Sequence, residues 1–102
     1  MAQFDVYRYR LDRSASIYVV DLQDDFLEIL STRVTAPLYP VTLEDRPVLR
    51  LNPTVQVDGN SYYIAVQELT ALRATSLGDK IANLQQQRDE IIAAIDFLFT
   101  GV

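Results

Sequence analysis

The sequence contains no histidine, no cysteine and no tryptophan, a single lysine, Lys80, and only three glycines. Without cysteine there can be no disulfides and no thiolate metal sites, which agrees with a reducing compartment. Without histidine, no side chain titrates near neutrality unless its surroundings shift it, so any catalysis would run on carboxylates, hydroxyls, Arg, Tyr or Lys80. The serines, Ser14, Ser16, Ser31, Ser61 and Ser76, have no histidine to activate them and no G-x-S-x-G setting, which sets a serine hydrolase aside. No glycine-rich phosphate loop is present. Long apolar runs are also missing: nothing approaches the ~20 residues of a membrane helix, and the opening MAQFDVYRYR lacks the apolar stretch of a signal peptide, so a cytoplasmic protein with no membrane partner is expected. Positive charge is scarce. Nine Lys and Arg against 14 Asp and Glu give a net charge of -5, which argues against direct nucleic-acid binding across the whole surface but leaves room for a local basic patch. Asp24, Asp25 and Glu28 could be imagined around a divalent cation, yet they lack calcium-loop spacing and read as solvated loop acids, so neither metal nor cofactor is expected.

What is present is apolar and aromatic: 49% hydrophobic residues, with six Tyr and four Phe among 102. That composition supplies the area an ordered chain needs, and the length fits one domain over residues 1–102. QFDVYRYRL alternates with the period of a strand, placing Phe4 and Val6 on one face and Asp5, Tyr7, Tyr9 and Leu11 on the other. Ile17–Leu22 reads as a second strand and QDDFLEILSTR as a loop or bent edge. Arg33–Leu38 reads as a third strand, with Pro37 and Pro40 hinting at an edge or a bulge. Leu43–Asn52 reads as a surface loop. In PTVQVDGNSYYIAVQ two alternating segments flank Asp58-Gly59, which predicts a hairpin. Glu68–Thr75 is ambiguous between helix and strand. Ser76-Leu-Gly-Asp79 resembles a capping box, so a helix is expected from there to Phe99. Short strands followed by one long helix predict an α+β fold: a strongly bent antiparallel sheet, or small SH3-like barrel, with a carboxyl-terminal helix packed on it.

The helix pattern carries more apolar surface than one core requires. Ile81, Leu84, Ile91, Ile95 and Leu98 form a core stripe with Ile92 and Phe99 beside it, while Ala93, Asp96, Phe97 and Thr100 form a second stripe away from the core. Phe97 is its outlier. Full burial of a Phe side chain contributes about 1.5–3 kcal/mol, so this face predicts a second polypeptide. A homodimer is the simplest version, with Ala93, Phe97 and Leu98 at the interface. The plain alternative is a sheet that curls over this end, or an isolated surface aromatic.

MAQFDVY, VVDLQDD followed by RVTAPL, the hairpin ending in a Tyr-rich strand, and above all IIAAIDFLFTGV resemble the CcdB toxins of bacterial toxin-antitoxin modules. The similarity runs along essentially the whole chain. The resemblance implies a CcdB/PemK-like fold and a dimer with its carboxyl-terminal helices near the two-fold axis. It also implies a non-enzymatic action: binding the A subunit of DNA gyrase and trapping the enzyme with its DNA broken. Carried over position by position, the gyrase-binding residues are Asp24, Phe26, Leu27, Asp96, Thr100, Gly101 and Val102. This chain departs from the family pattern at two of them, with Thr100 where the best-known members carry Trp and Asp96 where they carry Asn. The resemblance further implies an antitoxin whose disordered segment wraps the toxin. Arg8, Arg10 and Arg13 near the first turn, with Arg46 and Arg50 in the long loop, are candidate contacts for an acidic peptide; the alternative is that they are solvated charges on strand edges. Two other readings stay open: a metal-independent endoribonuclease of the same superfold using Arg33 with Thr35 or a nearby carboxylate, and a non-toxic relative acting only as a binding protein.

Overall fold

The computed structural model describes residues 1–102. Seven strands, β1 (Asp5–Arg10), β2 (Ser16–Asp21), β3 (Thr32–Pro40), β4 (Thr54–Val57), β5 (Asn60–Ile64), β6 (Thr70–Arg73) and β7 (Lys80–Asn83), precede one helix, α1 (Arg88–Thr100). All pairings are antiparallel, in the order β4-β5-β3-β2-β1-β7, with β6 joined to β3 beside β5. The register sets Val6, Val20 and Ala36 on one row and Leu38 beside Ile64 on the next. These residues, with Phe4, Val55, Val57, Val66, Leu84, Ile91 and Ala94, belong to a cluster of 13 buried residues that α1 helps to cover. The hairpin expected around Asp58-Gly59 is present. Both residues hold positive φ, 52° and 78°, as a two-residue turn matched to strand twist requires.

The expected helix start is corrected. Ser76 ends a short 3-10 turn (Ala74–Ser76), the chain then runs extended, and residues 80–83 pair with β1 as an edge strand. Ile81 and Leu84 have helical spacing, but the open edge of β1 offered backbone partners, and such tertiary pairing overrides a local pattern. Gly78 makes that pairing possible. Its N–H bonds the Arg8 carbonyl at 2.8 Å, and a Cβ built there would lie 2.8 Å from the same oxygen. Gly78→Ala should therefore push β7 from β1 and cost about 1–3 kcal/mol, read from the urea midpoint of the two proteins. Helix α1 begins without a side-chain cap and carries Asp89 and Glu90 in its first turn, where they complement the helix dipole. Gly101 ends it in the left-handed conformation, donating to the Phe97 carbonyl.

Pro37 does not mark an edge, because β3 is the most connected strand of the sheet. The proline is tolerated for a local reason. Along β3 the partner changes from β5 at Leu38 to β6 at Thr35, and Pro37 falls in the notch between them, its carbonyl accepting from the Ala65 N–H at 2.9 Å. The missing proline donor would have pointed into this gap. The ambiguous segment Glu68–Thr75 supplies the other side of the notch, a 3-10 turn (Val66–Glu68) followed by β6. In β1, Asp5 and Tyr7 are buried along with Phe4 and Val6, so this strand is covered on both faces.

Candidate functional site

The segment from Asp21 to Arg33 is built around one buried ion pair. Arg33 and Asp21 are both inaccessible to solvent, with Arg33 Nε 2.8 Å from Asp21 Oδ2. Arg33 Nη2 also donates to the Gln23 carbonyl at 2.9 Å, while Nη1 has no partner within the chain. Burial pushes the Asp21 carboxyl up from its ordinary value, opposed by bonds from Arg33 and from the Gln23 N–H. Gln23 works as a clasp. Its amide nitrogen donates to the Leu27 and Thr32 carbonyls at 3.2 and 3.1 Å, and its amide oxygen accepts from the Val34 N–H at 3.0 Å. Above this base the chain makes a 3-10 turn (Asp25–Leu27) capped by the Asp24 carboxylate, which accepts the Phe26 N–H at 2.8 Å. The Asp25 carboxylate accepts the Gln3 N–H. Both acids thus hold backbone.

The outer side of this fastened loop is apolar. Phe26 is 93% exposed and Ile29 91%, with Leu27 and Leu30 about half exposed beside them. Four large apolar side chains thus stand exposed within one five-residue stretch. Phe26 and Leu27 were named as candidates through the family resemblance alone. Ile29 and Leu30 were not, although the run FLEIL between acidic and polar neighbours carried the signal. Asp21 and Gln23, which position the loop, had no sequence signature, since their role depends mostly on contacts 9 to 12 residues away.

At the other candidate surface, the structure exchanges the roles of two aromatics. Phe97, expected to point outward, is half-buried beneath the Arg50 guanidinium, 4.6 Å from its ring centre. Phe99, expected beside the core stripe, is 69% exposed. Ile91 and Ala94 set the buried face, and Phe99 sits about 80° around the helix from Ile91 at 100° per residue. Arg50 reaches Phe97 from a left-handed backbone with φ of 73°. Leu98 is half-buried, and Ala93 is exposed on a cavity of about 530 Å³ that it lines with Pro47, Leu49, Arg50, Glu90 and Val102. Thr100 donates its hydroxyl to the Asp96 carbonyl at 2.7 Å; Asp96, Thr100, Gly101 and Val102 are all exposed. No hydrogen bond or ion pair joins this tail to the Asp24–Leu27 turn within the chain.

The five candidate arginines separate into two groups. Arg8, Arg10 and Arg13 are exposed at the β1–β2 end, where Arg8 lines a cleft of about 320 Å³ with Tyr18, Leu38, Pro40 and Tyr62. Arg46 and Arg50 belong to the β3–β4 loop, where Arg46 Nε donates to the Leu43 carbonyl at 3.3 Å and Arg50 is engaged with Phe97. Three tyrosines are tied to acids instead: Tyr7 to Asp5 at 3.1 Å, Tyr39 to Glu68 at 2.7 Å and Tyr63 to Asp45 at 2.7 Å. Burial and Asp5 push Tyr7 up to about 12. The bonds to Glu68 and Asp45 and partial burial do the same for Tyr39 and Tyr63, each to about 12. A folded pKa above the ordinary value of 10 means that the folded state keeps protons the unfolded chain has released. Stability from these phenols is full below pH 10 and lost as pH rises through about 12. Alkaline titration should show late tyrosinate absorbance coinciding with loss of folded signal, and Tyr7→Phe should shallow that loss.

Arg33 and Thr35, the pair considered for RNA cleavage, are fully buried; Thr35 donates its hydroxyl to the Thr70 carbonyl at 3.2 Å. They cannot touch a phosphodiester.

A curled antiparallel half-barrel closed by one carboxyl-terminal helix is the architecture of the MazF/PemK-like toxins. Solved structures with this fold include an endoribonuclease in complex with its cognate antitoxin from a mycobacterial species (TM-score 0.81, 14% identity, 97% of this chain and 94% of that one). A second is an endoribonuclease from a mycobacterial species (0.80, 15%, 97% and 90%), and a third is the Mycobacterium tuberculosis toxin MazF-mt6 (0.76, 17%, 93% and 95%). Residues 3–101 match the model of the CcdB protein family. The chain belongs to that family. The comparison also corrects one expectation: absence of enzymatic activity does not follow from this resemblance, because solved structures of the same fold are endoribonucleases. No helix of the chain is long and apolar enough to cross a membrane.

Proposed function

We propose that the chain is the toxin of a toxin-antitoxin pair, that it acts as a homodimer on the A subunit of DNA gyrase, and that a cognate antitoxin neutralises it. The observation that carries this reading is the fastened loop, which holds Phe26 and Ile29 in water on a backbone pinned by Asp21, Gln23 and Arg33. A side chain that contributes nothing to its own core, displayed on a rigid support, is suited to anchor a partner at small ordering cost. Asp24 shapes the turn; Phe26 and Leu27 make the contact. At the helix end Gly101 turns the backbone off the helix axis, so that Val102, with Asp96 and Thr100 on the last turn, presents a small second epitope. Ala93 and Leu98 lie at the dimer face together with exposed Phe99, while Phe97 supports it from beneath Arg50.

Arg8, Arg10, Arg13, Arg46 and Arg50 serve the antitoxin, whose carboxylates their fork-shaped donors suit. The test is incubation with gyrase, supercoiled DNA and ATP, followed by detergent and protease. Linear DNA is expected, and deletion of Thr100–Val102 should abolish it while leaving the folded signal and the sedimentation of the dimer unchanged. Intact DNA at high toxin concentration, or undiminished cleavage by the deleted protein, refutes the reading or the tail's part in it. The second reading is an endoribonuclease, favoured by the neighbours of the same fold. RNA fragments in a gyrase-free reaction would establish it, and they would have to arise from residues other than Arg33 and Thr35.

A further inference from the structure

Three residues other than glycine hold positive φ: Phe4, Arg50 and Asp58. Asp58 forms the hairpin turn, and Phe4 sets its ring in the core. Arg50 does neither. It is the third residue of a turn closed by the Leu51 N–H on the Val48 carbonyl at 3.2 Å, and its φ of 73° is one that glycine or asparagine takes there at little cost. A long side chain at such a position is strained. Strain kept where glycine would relieve it points to a role for the side chain.

The Arg50 guanidinium lies 4.6 Å from the centre of the Phe97 ring. Phe97 is half-buried in the last turn of α1, and its carbonyl accepts the Gly101 N–H at 2.9 Å, the bond that ends the helix. Ring and cap thus belong to one residue. Helix α1 carries acids in its first turn but no basic residue in its last, so nothing on the helix itself complements the partial negative charge of its carbonyl end. Arg50 brings a cation to that end from the β3–β4 loop. It forms no ion pair, although Glu90 lines the same cavity. That cavity, about 530 Å³, has Pro47, Leu49 and Arg50 on the loop side and Ala93 and Val102 on the helix side. Loop, helix end and tail therefore meet at one place.

We propose that Arg50 is the positioning residue for residues 100–102: its guanidinium holds the Phe97 ring and supplies the charge that the last turn lacks, so that the chain leaves α1 along one path. Helix ends fray because their last carbonyls have no partner within the helix, and a frayed tail must be ordered at the moment of binding, which weakens the complex. Arg50 remains exposed while it stacks, so its N–H donors stay open to a carboxylate. The inference rests on the gyrase reading for what the tail touches; how the tail is held is a property of the chain alone.

Amide hydrogen exchange, urea unfolding and gyrase trapping on three variants form the test. Arg50→Gly removes the side chain and relieves the turn. Its urea midpoint should hold at about the natural value, because relief of the left-handed backbone offsets the lost stacking. Exchange of the Gly101 amide should nevertheless quicken by about tenfold, and the concentration needed to trap gyrase should rise by about tenfold. Arg50→Lys keeps a cation without the planar fork and should fall between the two in both readings. Arg73→Gln, an equal loss of charge at an exposed position of β6, should change neither. A midpoint lowered in step with trapping would make Arg50 merely structural. Unaltered Gly101 exchange, full trapping by Arg50→Gly, or an equal effect of Arg73→Gln would show that the tail holds itself. Each of these overturns the proposal. If the natural chain leaves gyrase untouched, the gyrase reading falls, and the Gly101 exchange alone decides for or against Arg50.

Discussion

Replacing Asp21 with alanine is expected to destabilise the chain by about 3–5 kcal/mol, measured as the loss of unfolding free energy in urea. Arg33 would then be an unpaired cation with no access to water, and its Nη1 already has no partner. Asp21→Asn keeps a polar acceptor at that position but removes the opposing charge, so it should fall between alanine and the natural residue. The double change Asp21→Leu with Arg33→Met should recover most of the stability, because a buried ion pair replaced by apolar side chains of similar volume is often neutral or stabilising. Recovery in the double variant would show that the pair is kept for something other than stability. The geometry names that role: Arg33 holds the Gln23 carbonyl, and Gln23 holds the Leu27 and Thr32 carbonyls. The double variant should therefore fold well and bind gyrase poorly. Equal stability of Asp21→Ala and the natural chain would show that the pair is not the sole support for Arg33 and would undo this account.

What could be seen in the sequence was whatever a short stretch of chain decides for itself. Asp58-Gly59 makes its turn from two residues with positive φ, so the hairpin was plain. The alternation in β1 and the apolar β2 likewise need no distant partner. The helix start was lost because residues 80–83 are claimed by β1, more than seventy residues away along the chain. Pro37 misled for the same reason: whether a missing donor matters depends on what faces it, and what faces it is a gap between two strands of later sequence.

The candidate site divides along the same line. Of DDFLEIL, only Asp24, Phe26 and Leu27 were named beforehand, through the family resemblance; Ile29 and Leu30, equally apolar, are shown exposed by the fold alone. The support beneath them cannot be read from sequence, since Asp21 and Arg33 look like ordinary strand charges until the sheet lays them against each other. Phe97 is covered by the Arg50 guanidinium, delivered by a loop whose positive-φ backbone has no signature in composition, while Phe99 is turned to solvent by its position around the helix. The five candidate arginines were not separable in the sequence, because only the fold sets Arg8, Arg10 and Arg13 at the β1–β2 end apart from Arg46 and Arg50 on the β3–β4 loop.

Phe26→Ala should do to function what Asp21→Ala does to stability. The ring is 93% exposed, so its removal deprives the folded chain of almost no packing, and the urea midpoint should move by no more than about 0.5 kcal/mol. The turn itself stays, since its cap is the Asp24 carboxylate on the backbone N–H of residue 26, which any residue but proline supplies. Binding to gyrase should nevertheless fall by about 2 kcal/mol or more, roughly thirtyfold, the loss typical of a central aromatic anchor. Ile29→Ser should weaken binding less, because an aliphatic side chain at the edge of a contact contributes less than an aromatic at its centre. A control separates the ring from the support. Asp24→Ala leaves Phe26 in place but removes its cap, so an intermediate loss would show that rigidity contributes beyond contact area. If Phe26→Ala traps gyrase at the same concentration as the natural chain, the loop is not the epitope and its exposed hydrophobic surface faces some other protein.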